Sequence, residues 1–226
     1  MDGSTFFGGE EAFLPFNPSI EAFGAPARPR RGIVAGTLIA TENGWRPVEQ
    51  LAPGDKVQTF DNGMQIISDI SAETLWDEGT VSLNDPLPVV MPAGALGNSQ
   101  PIILLPHQGV LLESENACDA MGDPLAVVPS RVLVGINGID TAPPRCDLVV
   151  YTLTFACDEV VYADGGLLLH CPNEAMPADL LEESRLYDVK NLVEARQMLT
   201  DLDIAQLVLD DQSLDEFEDA ALERVA

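Results

Sequence analysis

"GIVAGTLIATENGWRPVEQLAPGDKVQTFDNG", residues 32–63, is the stretch that decides the fold. It contains two runs of strand-forming residues, "GTLIAT" and "DKVQTF", on either side of the turn-forming segment "PVEQLAPGD". Asn43-Gly44 and Asn62-Gly63 follow these runs, and both residue types tolerate the positive φ angles of tight hairpin turns. Pro47 and Pro53 bracket what we expect to be one short helical turn that reverses the chain. The stretch therefore predicts antiparallel hairpins in a small twisted sheet.

Short strand-like runs continue from this stretch to about Cys171. The further runs are "MQIISDI", "LPVVM", "PIILLP", "GVLLES", "LAVV", "LVVYTLTF" and "EVVYA". Turn signals at Asn137-Gly138 and Asp164-Gly165 fall among them, and no strand alternates with a ten-residue helical pattern. We therefore predict one mainly β, antiparallel domain over residues 32–171.

The segment before this domain, residues 1–31, has a different composition. It holds five of the eight phenylalanines, spaced by Gly, Pro and Glu without a helical or strand period, and ends in the basic run "APARPRR". Two interpretations stay open: a disordered tail, or a linear motif whose aromatic side chains dock on a partner or on the body of the same molecule. The side chains expected to make such contacts are Phe6, Phe7, Phe13 and Phe16.

The segment after the domain, residues 172–226, is predicted to be an acidic helical extension. Leu, Val and Met recur there at steps of three and four residues, with acidic residues between them. Ser213 and Glu216 are spaced as a capping box at the start of a last helix, whose apolar face would include Leu214 and Phe217. This helix is either a solvated acidic tail or a helix that docks on a partner through that face.

The composition narrows the classes of function. The chain has 226 residues with 11 basic and 37 acidic side chains, a net charge of -26 that disfavours nucleic acid and anionic membrane surfaces as partners. No signal-peptide pattern and no run of eighteen apolar residues is present, so we expect a cytoplasmic protein without a membrane span, with export by a non-classical route left open. The four cysteines show no regular spacing, so we expect no disulfide framework and no cofactor.

The order of these motifs resembles the Hint family, the horseshoe-shaped β-fold shared by inteins and the autoprocessing domains of hedgehog proteins. The positions that match the opening motif of the family's bacterial branch are Gly36-Thr37, Ile39, Thr41, Gly44, Arg46-Pro47-Val48-Glu49, Leu51, Gly54-Asp55, Val57, Thr59, Asp61 and Gly63. Two later motifs of the family are echoed by residues 106–112 and 151–165. The resemblance implies a Hint-like horseshoe of short antiparallel strands over residues 32–171, a fold that performs self-cleavage.

The resemblance also shows which catalytic residues this chain lacks at the start of the domain. The self-cleaving members begin with Cys or Ser, but Gly32 stands at that position and has no side chain to act as a nucleophile. We therefore expect no N-to-S acyl shift at the Arg31-Gly32 bond. The histidine that protonates the leaving nitrogen is replaced by Gln108, and His107 next to it would face the other side of a strand unless a bulge corrects its register.

The same comparison extends to the end of the domain. Later catalytic positions correspond to Thr152 and Glu159, neither of which donates a proton as an imidazolium does. The domain ends in His170-Cys171 where an intein ends in His-Asn, so no succinimide is expected. We expect a degenerate site around Gly32, Thr37, His107, Gln108, Thr152, His170 and Cys171. Among these, His107, His170 and Cys171 are the candidates for a zinc site or a redox-sensitive thiol.

Three functional hypotheses follow. The first is a Hint domain without self-cleavage that serves as a protein-binding or assembly module through its two flanking segments, with a homo-oligomer left open. The alternative is autoprocessing or thiol-dependent acyl transfer, in which Cys171 or Cys157 acts with His107 or His170. In the third, the acidic surface mimics nucleic acid or binds a basic partner. The absent nucleophile favours the first hypothesis, so we expect a pseudoenzyme.

Overall fold

Within the part of the chain that the structure describes, the fold consists of two antiparallel β-sheets and one short α-helix. The computed structural model describes residues 31–75, 87–114, 122–143, 145, 147–173, 187 and 189–200. The mainly β, antiparallel fold expected from the sequence is confirmed. The proposed contact residues Phe6, Phe7, Phe13, Phe16, Leu214 and Phe217 lie outside the described ranges. No helix within these ranges is long and apolar enough to cross a bilayer.

The elements are short and follow the predicted runs closely. In chain order the strands are β1 (Ile33–Val34), β2 (Leu38–Thr41), β3 (Gly44–Pro47), β4 (Lys56–Thr59), β5 (Gly63–Ile66), β6 (Asp69–Thr74), β7 (Val89–Met91), β8 (Ile102–Leu104), β9 (Gly109–Glu113), β10 (Leu125–Pro129), β11 (Asp140–Thr141), β12 (Val149–Thr154), β13 (Glu159–Ala163) and β14 (Leu167–Cys171). Two 3₁₀ turns, Val48–Gln50 and Ser130–Leu133, and helix α1 (Leu192–Thr200) complete the described elements.

The strands form one six-stranded and one eight-stranded sheet. The first has the order β11-β7-β8-β1-β12-β6, and the second has the order β10-β9-β14-β13-β2-β4-β5, with β3 paired to β2. Consecutive strands in the sequence are often not neighbours, so the middle of each sheet joins distant parts of the chain. Strands β13 and β14 are buried along their whole lengths, which puts the residues at their ends on a rigid support.

The opening stretch folds as its turn chemistry predicts. Hairpin β2–β3 closes with Thr41 opposite Gly44, and hairpin β4–β5 closes with Thr59 opposite Gly63. The 3₁₀ turn Val48–Gln50 lies between the two hairpins, as expected for the segment between the two prolines. Its Val48 side chain is fully buried, so this turn anchors the reversal of the chain in the core.

A segment beyond β14, which we call the C-terminal strap (Tyr187 and Val189–Thr200), packs back on the second sheet. Tyr187, Ala195 and Met198 are buried, and the last two belong to the main core. Val189 forms a parallel bridge with Val127, and the Lys190 N–H donates to the Val127 carbonyl at 2.9 Å. The hydrophobic core therefore continues past Cys171, where the sequence pattern changes from strands to helices.

Helix α1 begins at a capping box that links its first turn to the strap. The Asn191 side-chain oxygen accepts from the N–H groups of Val193 and Glu194 at 2.9 and 3.1 Å. The Glu194 carboxylate accepts in return from the Asn191 N–H at 2.9 Å. Reciprocal capping satisfies N–H groups that have no partner within the helix, which explains why α1 begins at Leu192.

Candidate functional site

Gly32, which stands at the nucleophile position implied by the resemblance, is enclosed by β12. Its φ angle of +126° lies in a region that favours glycine. A Cβ atom built at this position would overlap Val150 Cγ1 and would lie 3.1 Å from the Tyr151 carbonyl oxygen and 3.5 Å from Thr152 Oγ1. The position thus lacks a nucleophile and also lacks the space for one.

Gln108 occupies the slot where the family pattern has histidine, and it connects three segments of the site. Its Oε1 accepts from the Gly32 N–H at 2.9 Å, and its Nε2 donates to the carbonyl oxygens of Gly109 and His170 at 3.0 and 2.9 Å. The side chain is buried, with 2% of the residue exposed. A neutral amide oxygen that accepts from the Gly32 nitrogen has no proton to give to it, so Gln108 holds this bond in place without activating it.

His107 and His170 line one groove of about 410 Å³ next to Gly32. We call it the His170 groove; its lining includes Arg31, His107, Val127, Asp158, His170 and Val189. His107 reaches it from a turn, in which the Gln108 N–H donates to the Leu105 carbonyl at 2.8 Å. The expectation that His107 faces away was based on strand alternation, which does not apply to a residue in a turn.

The imidazole of His170 is buried with one nitrogen unsatisfied. Its side chain is 7% exposed, Nε2 makes no hydrogen bond to the residues that the structure describes, and Asp158 Oδ2 lies 3.9 Å from it. The ring meets Tyr187 edge-on, with 5.6 Å between the ring centres. Gly109 makes room for it, because a Cβ there would lie 2.9 Å from His170 Cβ. An unsatisfied buried nitrogen costs about 1–3 kcal/mol, a cost that a closer approach of the Asp158 carboxylate would remove.

Cys171 lies on the opposite face of β14, since successive side chains of a strand alternate. It is part of the main core and does not line the groove. Burial, with a smaller contribution from Glu159, raises the pKa of the thiol to about 12. The thiol is therefore protonated at neutral pH and weakly nucleophilic. The structure brings His107 and His170 together but separates them from Cys171.

A three-ligand metal cluster does not form from the histidines and the thiol. Within the ranges that the structure describes, no group of three His, Cys, Asp or Glu side chains is arranged to hold a metal ion. A zinc site at His107, His170 and Cys171 would require the Cys171 side chain to lie on the same face of β14 as His170.

The remaining predicted positions support the scaffold around the groove. Thr37 is buried, and its carbonyl accepts from the Val48 N–H at 2.9 Å, which ties β2 to the 3₁₀ turn. Thr152 is exposed on β12 beside Gly32. Glu159 is buried at the start of β13, where its carboxylate accepts from Asn62 Nδ2 at 3.3 and 3.1 Å. Burial raises the pKa of Glu159, and the residue is not part of the groove lining.

Sequence reasoning missed several residues that shape the groove. Asp158 Oδ1 accepts from the Asn173 N–H at 2.6 Å, and Asn173 Nδ2 donates to the Ala156 carbonyl at 2.9 Å. Asp158 could have been found as a carboxylate adjoining the predicted strand "EVVYA". No local signal indicates Val150 or Tyr187, because each acts through a contact with a distant part of the chain.

The fold is a mainly β, antiparallel domain whose first position, Gly32, has no room for a side chain. The chain belongs to the Hint domain family, whose model matches residues 32–169, so the resemblance inferred from the motifs is confirmed. Among solved structures, the chain is similar to the solution structure of a bacterial intein-like domain from Clostridium thermocellum, with 15% identity and a TM-score of 0.40 over 62% of this chain and 98% of that one. No curated protein matches the chain.

Proposed function

We propose that this chain is a Hint domain that has lost self-cleavage and splicing and serves as a protein-binding or assembly module. The observation that carries the proposal is the environment of Gly32. Val150 fills the space of a nucleophilic side chain, and Gln108 accepts from the amide that the reaction would cleave. The first feature leaves no room for a nucleophile, and the second offers no proton to the leaving nitrogen.

The alternative, acyl transfer by a displaced thiol and histidine, has less support from the geometry where the thiol is that of Cys171. Cys171 faces the core with a protonated thiol, while His170 faces the groove. A thiol and a base must come within hydrogen-bond reach for the base to activate the thiol. Two residues on opposite faces of one strand do not meet this requirement.

Support for a binding role comes from where the two flanking segments join the domain. Arg31, the last residue of the N-terminal segment, and Val189 of the C-terminal strap line the same groove. We infer that the partner contacts are made through Phe6, Phe7, Phe13 and Phe16 and through Leu214 and Phe217. We infer a protein partner in the cytoplasm, or a second copy of the chain, rather than nucleic acid or a membrane. No cofactor is required.

The loss of self-cleavage is tested by intact mass spectrometry of the full chain, incubated for a day with and without a thiol. We expect an unchanged species of 24.2 kDa in both conditions. Thiol-dependent loss of residues 1–31 would overturn this part of the proposal.

The binding role is tested by affinity capture and by light scattering, which detects self-association. One variant changes Phe6, Phe7, Phe13 and Phe16 to Ser, and another changes Leu214 and Phe217 to Ser. The matched control changes Met64 and Ile66, exposed apolar residues of β5, to Ser. We expect a specific partner or oligomer that at least one of the first two variants loses and the control keeps. Equal behaviour of all three variants would contradict a role for the flanking segments.

A further inference from the structure

The two hairpins of the opening stretch close in the same way around an Asn-Gly pair. In the β2–β3 turn the Thr41 hydroxyl donates to the Gly44 carbonyl at 2.7 Å, and in the β4–β5 turn the Thr59 hydroxyl donates to the Gly63 carbonyl at 2.9 Å. Both glycines have positive φ angles and open space where a Cβ atom would lie. The backbones of the two turns therefore give their asparagines similar surroundings.

Two of the three Asn-Gly pairs in the sequence hold the asparagine side chain in a hydrogen bond. Asn62 Nδ2 donates to the Glu159 carboxylate, at 3.1 Å to the nearer oxygen. Asn137 Nδ2 donates to the Ala95 carbonyl at 2.8 Å. These bonds fix the orientation of both side-chain amides, although both asparagines are exposed.

The third pair, Asn43-Gly44, has no such bond. The Asn43 side chain is exposed and makes no hydrogen bond within the part of the chain that the structure describes. Its backbone N–H donates to the Thr41 hydroxyl oxygen at 3.2 Å. The Asn43 amide carbon is therefore free to turn towards the Gly44 nitrogen, which belongs to a residue without a side chain to hinder the approach.

We propose that Asn43 is a site of spontaneous deamidation, from which the fold protects Asn62 and Asn137. Asparagine is a thermolabile residue. The Gly44 nitrogen gives its proton to solvent and bonds to Asn43 Cγ, and the side-chain nitrogen takes a proton from solvent and leaves as ammonia. Water then opens the succinimide at either carbonyl, which gives aspartate or isoaspartate at position 43. Neither step needs an oxidant or reductant.

This reaction is distinct from self-cleavage, because the chain stays in one piece, and it does not depend on the proposed function. Either product adds a carboxylate next to Glu42, whose own carboxylate pairs with Lys56 at 3.4 Å. Isoaspartate also lengthens the main chain of the turn by one carbon atom, where Thr41 and Gly44 pair across the hairpin. We therefore expect the isoaspartate form to unfold at a lower temperature than the parent chain.

The test follows each asparagine separately in the full chain, incubated at mildly alkaline pH in water labelled with heavy oxygen. Opening of the succinimide incorporates the label, and peptide mapping by mass spectrometry measures it at each position. The same incubation in denaturant gives the rate of each Asn-Gly pair without the fold. The ratio of the denatured rate to the folded rate is the protection at that asparagine.

We expect the protection at Asn62 to exceed that at Asn43 by at least about tenfold, the effect of one hydrogen bond to a charged group. Glu159→Ala removes the acceptor, so it should lower the protection at Asn62 and leave that at Asn43 unchanged. Glu113→Ala, at an exposed position of β9, is the matched control and should change neither. If Glu159→Ala does not fold, the comparison of Asn43 with Asn62 and Asn137 in the parent chain tests the proposal alone.

Two results would overturn the proposal. One is equal protection at the three asparagines, because the side-chain hydrogen bonds would then not decide which of them reacts. The other is a folded chain in which Asn43 takes up no label during the time that the denatured chain needs to convert fully.

Discussion

At the scale of single residues, Gly32 and Val150 together determine whether the site has room for a side chain at position 32. Glycine alone removes the nucleophile, and a single substitution would restore one. The Val150 methyl group occupies the place of the missing Cβ, so the surrounding packing has adapted to glycine. A side chain at position 32 therefore requires a second change, at Val150 on β12.

Gly32→Cys is predicted to lower stability without producing cleavage. The positive φ angle and the overlap with Val150 should lower the free energy of unfolding by about 1–3 kcal/mol. This change is measured as a fall in Tm. Adding Val150→Ala should recover part of this loss, so that the double variant is more stable than the two single effects predict. Intact mass should still show no thiol-dependent cleavage, because Gln108 remains.

Val150→Ala alone completes this double-mutant cycle as its control. Cleavage in the Gly32→Cys chain would show that position 32 has room for a reactive thiol. It would also show that glutamine at position 108 does not prevent cleavage. Strict additivity of the two substitutions would show that residues 32 and 150 are not in contact.

Glu159→Gln is predicted to stabilise the protein at neutral pH. Burial raises the pKa of Glu159 above 4.5, so the folded state binds this proton more readily than the unfolded chain. The stabilising contribution of that proton is present below about pH 4.5 and is lost as pH rises through the folded pKa. We expect Tm of the variant to exceed that of the parent at pH 7.5 by about 2–4 °C, the effect of about 1 kcal/mol.

The difference should shrink towards pH 4, where the parent also carries the proton. Glu113→Gln, at an exposed position at the end of β9, is the matched control and should change Tm little at either pH. A Glu159→Gln difference that grows on acidification would show that the direction of the pKa shift is wrong.

At the scale of elements, one side-chain hydrogen bond links the strap to the opening hairpins of the chain. The Tyr187 hydroxyl donates to Asp61 Oδ2 at 2.6 Å, across 126 positions of sequence. Asp61 belongs to the turn between β4 and β5 that the opening motif predicts. This hydrogen bond therefore links the strap to the β4–β5 hairpin.

Tyr187→Phe is predicted to destabilise the protein by about 1.5–3 kcal/mol, the usual range for a hydrogen bond to a charged group. Thermal unfolding measures the change. Tyr151→Phe, at a partly exposed tyrosine of β12, is the matched control and should have a smaller effect. Equal effects of the two substitutions would mean that the bond to Asp61 adds no stability.

The strands could be predicted from the sequence because their signals are local. "DKVQTF" and "LVVYTLTF" became β4 and β12, and the Asn-Gly turn signals marked the hairpins of the opening stretch. The surroundings of His107 and Gly32 could not be predicted in this way. His107 depends on a turn whose geometry a strand pattern does not show, and Gly32 depends on Val150, which β12 brings to it.

At the scale of the whole molecule, the family match ends at residue 169 but the core does not. Tyr187, Ala195 and Met198 pack beneath the surface of the second sheet and are mostly screened from water. Sequence periodicity predicted helix in this region but gave no information on what the helix packs against. The strap is therefore expected to contribute to the stability of the Hint domain itself.

A chain that ends at Asn173 is predicted to unfold at a much lower temperature than one that ends at Thr200. The longer chain keeps every described contact of the strap, so it is the reference. Burying one Tyr-sized or Met-sized side chain stabilises by about 1.5–3 kcal/mol, and total stabilities are about 5–15 kcal/mol. Loss of Tyr187 and Met198 together should therefore lower Tm by about 10 °C or more, measured by calorimetry. Equal Tm values would show that the β-domain is stable without the strap and that the strap is a bound extension.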